Sequence, residues 1–145
     1  SLISDNMQIT AMCFAANTLF QLQKKNISQI IMGGGYYHPS STVFESEAML
    51  PIMNGLRATK AFIAPAAVDM ALGLTCSVTS DKRIRELEIK KSQKRILLIT
   101  SSKFGKVKST LFGTWDQVDA VITDKGITED WISFFKEKEI ELFIV

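Results

Sequence analysis

The amino-acid sequence predicts an α/β protein in which three layers are built around a mainly parallel sheet. Short aliphatic runs, of which residues 96–99 are the clearest, alternate with helix-like segments along the chain. Four consecutive aliphatic residues are typical of a strand that is buried on both faces, as the strands of parallel sheets are. The 145 residues, 46% hydrophobic and 22% charged, are ordinary for one globular domain with a single core.

Six strands are predicted from compact apolar runs. They cover residues 8–14, 30–32, 60–64, 96–99, 119–123 and 140–145. The last run is terminal and is expected at an edge of the sheet. Several connecting segments are predicted to be irregular. They are a long loop over residues 36–41 at the carboxyl edge of the sheet, loops over residues 65–69 and 73–80, and an irregular stretch over residues 107–115.

Two helices are predicted in the first half of the chain. Asn17 is expected to cap the first, and lysines at its end complement the helix dipole. The second covers residues 47–56, where Pro51 either kinks the helix or lies in its first turn. The predicted inner faces are formed, in helix order, by Leu19, Phe20 and Leu22, and by Met49, Leu50, Met53 and Leu56.

Two further helices are predicted in the second half. The third helix is expected to run from a cap at Thr79 or Ser80 toward Arg95. The fourth begins at residues 128–130, where two acids stand in the first turn. Their predicted inner faces are formed by Ile84 and Leu87, and by Trp131, Phe134 and Phe135.

Charge, cysteine content and hydropathy exclude several classes of function. A net charge of +2 argues against a nucleic-acid surface, and the basic residues 90–95 are interpreted as a solvated helix end. Cys13 and Cys76 lack metal-ligand spacing and are expected to be reduced, buried thiols. No run reaches the roughly 18 apolar residues of a membrane helix, and no signal-peptide pattern opens the chain. We therefore expect a cytoplasmic protein without membrane contact.

The glycines at positions 33–35 are the first candidate for an anion site. The series does not continue as G-x-G-x-x-G, because His38 stands three residues after Gly35. A dinucleotide is therefore disfavoured, and no cofactor is expected. A tight turn with unusual φ angles and a backbone anion site remain equal alternatives.

Four charged side chains near predicted strand exits are candidates for ligand contacts. Lys103 stands in a polar loop directly after a buried strand, where an ammonium suits a phosphate, although a solvated loop lysine is an equal alternative. Asp69 and Asp81 could bind sugar hydroxyls or serve as turn and helix-start residues. Arg85 could reach the site or lie on the surface. His38, the one histidine, is expected to face solvent or pack in a loop.

Several motifs together resemble the C-terminal effector-binding domain of the DeoR family of bacterial transcriptional regulators. Residues 102–105 read Ser-Lys-Phe-Gly and residues 118–124 read Val-Asp-Ala-Val-Ile-Thr-Asp, which resemble the family's D-x-S-K-F-G and V-D-x-V-I-T-D. Residues 61–75 contain Ala-Phe-Ile, Val-Asp and Gly-Leu-Thr in the family's order, and a glycine pair follows Met32. Residues 11–14 and 17–19 are most similar to the deoxyribonucleoside repressors.

The resemblance implies a fold, a ligand and a site. The fold would be that of ribose-5-phosphate isomerase and the CoA transferases, which is Rossmann-like. A phosphorylated sugar would be the effector, with Lys103 at its phosphate and Asp69 and Asp81 at its hydroxyls. Carried over by position, these residues would line the crevice: Asn17, Gly33, Gly34, Asp69, Gly73, Thr75, Asp81, Arg85 and Lys103.

The sequence also departs from the family pattern. The phosphate loop D-x-G-T-T-T and the DNA-binding helix-turn-helix are both absent, so we expect residues 1–145 to be an effector domain without its first strand and phosphate loop. DNA would then be bound only through an N-terminal module outside this chain. Thr100 replaces the aspartate of D-x-S-K, Ala64 and Ala67 replace glycines, and Arg85 replaces a lysine. These changes could alter the preferred sugar or reduce ligand binding.

The leading interpretation is a non-enzymatic sugar-phosphate sensor of a regulator, expected to be a repressor and a homo-oligomer. One alternative is a sugar-phosphate isomerase, in which Asp69 or Asp81 acts as the base. The other is an oligomerisation domain without ligand, with its contact around Phe112, Trp115 or the terminal strand.

Overall fold

The computed structural model describes residues 8–39 and 41–145, which fall into two compact units. The first unit ends at Ile52 and the second begins at Met53. Parallel strands and helices alternate in both, as the sequence predicts for an α/β protein.

The first unit opens with a strand–helix–strand motif. Strand β1 (Thr10–Cys13), helix α1 (Ala16–Leu22) and strand β2 (Gln29–Met32) follow one another, and the two strands pair in parallel. Both strands were predicted. Cys13 and Leu22 are buried in this unit because the helix packs back along the strand pair.

The start of α1 differs from the prediction. Its N-cap is Ala15, and Asn17 lies inside the first turn, so the predicted cap is wrong. The amide of Ala16 instead donates to the Thr42 carbonyl at 2.8 Å, so backbone from another segment satisfies a free N–H at the helix start. Phe20 was assigned to the inner face but is 60% exposed. A helix of seven residues has a narrow buried stripe, and Leu22 occupies it.

Of residues 36–41, predicted to be a loop, residues 36–38 form one strand of a hairpin, and residue 40 lies outside the described residues. Strand β3 (Tyr36–His38) pairs antiparallel with β4 (Val43–Glu45). Gly35, at φ +127°, turns the chain into this hairpin, and the Tyr37 and Phe44 rings lie 5.0 Å apart across it. His38 is exposed, as expected, and its Nε2 lies 2.8 Å from Glu45 Oε2.

Helix α2 (Met49–Gly55) is shorter than predicted. Pro51 lies in its first turn, where a missing N–H costs little. Met49 and Met53 are buried as predicted. Leu56 lies beyond the helix and is 41% exposed, so its assignment to the inner face is wrong.

The second unit is a parallel sheet with helices and a smaller sheet. In chain order it contains β5 (Ala58–Ile63), β6 (Ala67–Asp69), β7 (Gly73–Cys76), α3 (Asp81–Lys91), β8 (Ser92–Leu98), β9 (Thr110–Gly113), β10 (Ala120–Thr123), α4 (Glu129–Glu137) and β11 (Glu141–Ile144). The parallel sheet has the order β11-β10-β8-β5. The terminal strand is therefore at an edge, as predicted.

One face of the parallel sheet carries the core of this unit. Ile63, Leu97 and Val121 are fully buried and lie side by side on β5, β8 and β10. Trp131 and Phe135 of α4 are buried in the same cluster, which confirms the aromatic inner face. The predicted oligomer contact at Phe112 and Trp115 is wrong, because both side chains are in this core at 4% and 6% exposure.

Three stretches predicted to be irregular form an antiparallel sheet of order β6-β7-β9. The predictions for residues 65–69, 73–80 and 107–115 are wrong over these strands. The strands have three or four residues each, too few to show an alternating pattern. Their pairing is fixed by buried contacts that the sequence does not show, such as the bond from Thr75 Oγ1 to the Ala67 carbonyl at 3.0 Å.

Helix α3 ends at Lys91, four residues before the predicted end at Arg95. Ser80 is at the N-cap, but its side chain makes no capping bond. Ile84 and Leu87 are partly buried, and Ile89 is the buried residue of the helix. Residues 92–95 extend β8 instead, because the Arg95 amide is bonded to Asp119 at the entry of the neighbouring strand rather than to a helix carbonyl.

Arg95 and Asp119 join β8 to the chain entering β10. Arg95 Nε and the amide of Arg95 donate to Asp119 Oδ2 at 2.7 and 2.6 Å, and a second guanidinium nitrogen donates to Oδ1 at 2.8 Å. These bonds, chiefly that from the guanidinium, lower the pKa of Asp119 from its ordinary 3.8. The pair is about one quarter to one third exposed, so its contribution is larger than that of a surface pair and smaller than that of a buried one.

We expect Arg95→Ala to lower the free energy of unfolding by about 1–2 kcal/mol at neutral pH, because two charge-assisted bonds are lost. Urea unfolding measures this. Since the pKa of Asp119 is lower in the folded state, its stabilisation is present above pH 3.8 and is lost as the pH falls through the folded pKa. The difference between wild type and Arg95→Ala should therefore shrink in acid.

The control is Glu141→Gln, which breaks the more exposed pair with Lys94 (2.8 Å). It should cost no more than about 0.5 kcal/mol. An equal loss for both variants would contradict the special contribution of the Arg95 pair.

Candidate functional site at the carboxyl edge of the parallel sheet

Three loops leave the carboxyl ends of β5, β8 and β10 at one edge of the sheet. They are residues 64–66, residues 100–105 (the lysine loop) and residues 124–126. Lys103 Nζ lies 3.4 Å from the Pro65 carbonyl, and the Ser101 amide donates to Asp124 Oδ2 at 2.7 Å. The structure therefore brings the three loops together where open α/β sheets bind ligands.

The backbone of the lysine loop is held in a short 3₁₀ turn, Ser101–Lys103. The Lys103 and Phe104 amides donate to the Thr100 and Ser101 carbonyls at 3.0 and 3.2 Å. Phe104 then packs its ring 4.8 Å from the Trp131 ring, and Gly105, at φ +66°, supplies the turn out of the loop. The loop is thus fixed by backbone bonds and an aromatic anchor.

The Lys103 side chain is held less firmly by hydrogen bonds than its backbone is. It is partly exposed, and its one described bond, to the Pro65 carbonyl, is at the long limit for a hydrogen bond. The hydroxyls of Thr100 and Ser102 lie 3.1 Å apart on exposed side chains of the same loop. An ammonium and two hydroxyls are groups that can donate to an anion such as phosphate.

Asp124 also lies at this edge and was not among the predicted site residues. Its Oδ1 accepts from the Gly126 amide at 2.9 Å, and its Oδ2 accepts from the Ser101 amide. Hydrogen bonds, first from the Ser101 side chain and then from these amides, lower the pKa of Asp124 to about 2. The signal in the sequence was an aspartate at a strand exit two residues before a glycine, which is typical of a side chain that caps its own turn.

Asp69, Gly73 and Thr75 lie on the antiparallel sheet, and each has a structural partner. Asp69 Oδ1 accepts from the Ala71 and Leu72 amides at 2.9 and 3.0 Å, so the carboxylate caps the β6–β7 turn. Gly73 has φ +97° and approaches the Gly113 carbonyl. Thr75 is buried and accepts from the Lys108 amide at 2.9 Å. This sheet adjoins the lysine loop, since the Lys106 amide donates to the Val68 carbonyl at 3.1 Å.

Asp81 and Arg85 lie at the start of α3. Arg85 is paired with Glu88, with 3.5 Å between a guanidinium nitrogen and Glu88 Oε2. Burial raises the pKa of Glu88, and the nearby Arg85 opposes that rise. Arg85 therefore has a local role in offsetting a poorly solvated carboxylate, and its ligand contact remains a prediction.

Asn17, Gly33 and Gly34 belong to the first unit. Asn17 is exposed in α1. A Cβ at Gly33 would lie 2.5 Å from the Phe14 ring, whereas one at Gly34 would meet nothing within 4 Å. The positive φ of this turn is at Gly35. Gly33 is thus required for packing, and the ligand contacts of all three residues remain predictions.

Two classes of site find no support in the described part of the chain. Within residues 8–39 and 41–145, no three His, Cys, Asp or Glu side chains are grouped closely enough to hold a metal ion. No helix in the same ranges is both long and apolar enough to cross a membrane. Cys13 and Cys76 are both free and buried, as expected.

Comparison with known proteins identifies relatives among transcription regulators. A family model described as the DeoR C terminal sensor domain matches residues 1–125. The "Deoxyribose operon repressor" of Escherichia coli K12 is 26% identical over 140 residues, which are 97% of this chain and 56% of that protein. An "Uncharacterized HTH-type transcriptional regulator" of Haemophilus influenzae is 30% identical over 116 residues, which are 80% of this chain and 45% of that protein.

A third relative, "HTH-type transcriptional regulator IolR" of Bacillus subtilis, is 25% identical over 122 residues, covering 83% of this chain and 47% of that protein. The chain thus spans about half the length of the curated relatives that it matches.

We expect Gly73→Ala to lower the free energy of unfolding by about 2–3 kcal/mol or more, because the backbone is strained for alanine and the new Cβ would lie 2.5 Å from the Gly113 carbonyl oxygen. Gly105→Ala is the matched control. It has φ +66° but open space around a Cβ, so only the cost of the conformation, about 1–2 kcal/mol, should be seen. Urea unfolding compares them, and equal losses would contradict the importance of the close approach between β7 and β9.

Proposed function

Because the chain belongs to the DeoR C-terminal sensor domain family, we propose that it is the ligand-sensing part of a DNA-binding transcriptional regulator, with a phosphorylated sugar as effector. The regulator would be a bacterial repressor of sugar or deoxyribonucleoside metabolism that acts in the cytoplasm. Similarity to a protein named deoxyribose operon repressor supports this choice of ligand class. DNA contact would be made by a module outside residues 1–145, and the fold would be the three-layer type of ribose-5-phosphate isomerase.

The observation that carries the proposal is that Lys103 has a fixed backbone and a weakly bonded ammonium group. Its backbone is fixed in the 3₁₀ turn, while its ammonium keeps one long bond to a carbonyl. A phosphate can replace that bond at little cost, because a neutral carbonyl is a weaker partner for an ammonium than an anion is. Thr100 and Ser102 supply hydroxyl donors beside it. This combination supports a phosphoryl group as the recognised part of the ligand.

Binding would act on transcription by a shift of populations. A ligand changes an equilibrium between two states only by its different affinity for them. The lysine loop is suited to such a difference, because it joins β8, the β5 exit and the β10 exit through Lys103 and Ser101. A change at this loop would therefore reach three strands at once.

The isomerase alternative receives less support. It needs a carboxylate base that is free to take a proton from the substrate. Asp69, one of the two candidates, accepts two amide bonds at Oδ1, which orient its carboxylate toward the β6–β7 turn.

We also propose that the chain forms a homo-oligomer. The contact would be made by the terminal strand, because Phe112 and Trp115 are buried in the core. Strand β11 is an edge strand, and Phe143, Ile144 and Val145 are 50%, 45% and 70% exposed. Unpaired backbone groups beside apolar side chains favour pairing with another chain. A homo-oligomer would show a mass in light scattering that is a multiple of 16.2 kDa for this chain.

We expect Lys103→Ala to weaken the binding of deoxyribose-5-phosphate by about tenfold or more, because a charge-assisted bond to the phosphate is lost. Isothermal titration calorimetry measures this, after a thermal-shift screen of pentose and hexose phosphates. Lys103→Arg keeps the charge but changes its shape and reach, so we expect an intermediate affinity.

The control is Lys136→Ala, which removes the same charge from an exposed position in the last turn of α4. Its affinity should equal that of the wild type. If Lys103→Ala also binds like the wild type, the proposed phosphate contact at Lys103 is wrong, and if no sugar phosphate binds, the proposed ligand is wrong.

A further inference from the structure

We propose that Asp124 is the positioning residue of the candidate site: it holds the backbone at Ser101 and thereby sets where the Lys103 ammonium meets a phosphate. The inference rests on the proposed function, since it needs a phosphorylated ligand at Lys103. It assigns a role to a residue outside the set that the family resemblance carried over.

The hydrogen bond between Ser101 and Asp124, called here the Asp124 tie, links the exits of β8 and β10. Ser101 and Asp124 are 23 residues apart, and their bond of 2.7 Å joins the start of the 3₁₀ turn to the end of β10. The other carboxylate oxygen is held by Gly126 at 2.9 Å, which fixes the rotation of the side chain. Asp124 therefore has a defined orientation, as a positioning residue requires.

The turn transmits the position of Ser101 to Lys103. Ser101 and Lys103 are the first and last residues of the turn, and the Lys103 amide bonds back to the Thr100 carbonyl at 3.0 Å. The far side of the turn is held by Phe104, which packs on Trp131. Without the Asp124 bond the start of the loop would lose its contact with the β10 exit beyond Ile99, and Lys103 would sample a wider range of positions.

Direct contact between Asp124 and a phosphate is disfavoured on two grounds. Its pKa of about 2 keeps the carboxylate ionised at neutral pH, so it repels an anion. Both of its oxygens already accept amide bonds. Simple electrostatics thus predicts that loss of this charge strengthens phosphate binding, whereas a positioning role predicts the opposite.

Gly126 provides an independent way to disturb the same tie. A Cβ at this position would run into Ser101 Oγ and would lie 2.9 Å from Asp124 Oδ1. Gly126→Ala should therefore separate Ser101 from Asp124 while the carboxylate keeps its charge.

The first test examines the loop without ligand in the intact protein. In ¹⁵N NMR spectra of the wild type, the Ser101 and Gly126 amide protons should lie downfield, as expected for donors to a carboxylate. In Asp124→Asn the amide side chain offers one acceptor oxygen, so one of these signals should move and the Ser101, Ser102 and Lys103 amides should exchange faster. Unchanged signals would overturn the inference whatever the ligand results are.

The second test measures binding of deoxyribose-5-phosphate and of inorganic phosphate by calorimetry. Asp124→Asn and Gly126→Ala should each weaken both probes, by roughly tenfold, because both probes depend on the position of Lys103. Asp124→Glu keeps the charge but displaces the carboxylate, so it should not restore affinity. Asp130→Asn, an exposed acid in the first turn of α4, controls for charge and should bind like the wild type.

The outcomes separate the inference from the proposed function. If the wild type binds and Asp124→Asn binds equally or more tightly, the inference alone is wrong. If only the sugar phosphate is weakened, Asp124 contacts the sugar directly and the positioning role is wrong. If the wild type binds neither probe, the proposed function fails and the inference fails with it.

Discussion

The parallel pairing of β8 with β10 is the interaction on which the second unit depends. At each end of this pairing, an aspartate beside β10 accepts a hydrogen bond from the backbone of the β8 segment. Asp119 Oδ2 accepts from the Arg95 amide at the entry, and Asp124 Oδ2 accepts from the Ser101 amide at the exit. Between them, Ile96, Leu97 and Leu98 pair with residues 120–122. A slip of one strand by one residue would turn either Leu97 or Val121 away from the core and would break both carboxylate bonds. The register of the core and the position of the lysine loop are therefore fixed together.

The aromatic cluster of α4 supports the same edge from the core. Trp131 contacts the rings of Phe104 and Trp115, with centroids 4.8 and 5.7 Å apart, and Phe135 packs against both. Trp115 Nε1 donates to the Asp69 carbonyl at 2.9 Å, which joins the cluster to the antiparallel sheet. Aromatic pairs of this kind contribute about 0.5–1.5 kcal/mol each beyond the burial of their area. The lysine loop and the β6–β7 turn are thus both held in place by the same aromatic cluster.

The sequence predicted the elements whose patterns are local and missed those fixed by distant partners. Residues 96–99 and the aromatic positions of α4 are strongly apolar, so strand, helix and inner face could be assigned without tertiary information. The strands β6, β7 and β9 were missed because their order depends on contacts such as Thr75 with Ala67, and because small residues there suggested a loop. Asn17 is a typical cap residue, but the helix begins earlier because the Ala16 amide donates to Thr42, which lies in a hairpin 26 residues away in the sequence. In the site, Lys103 was predictable from its place after a strand, whereas the tie from Asp124 requires knowledge of which strand lies beside β8.

The polar residues of the candidate site differ in how much native structure a ligand would have to displace. A ligand at Asp69 Oδ1 would displace two amide bonds of its turn, and Thr75 is buried between two backbone partners. Lys103 would exchange one long bond to a neutral carbonyl for a bond to an anion. Binding energy is the surplus over such costs, so ligand contacts are most favourable where the side chain is weakly committed and its backbone is already fixed. By this criterion the proposed anion contact is best assigned to Lys103, and the proposed roles of Asp69 and Thr75 are to hold the backbone around the ligand.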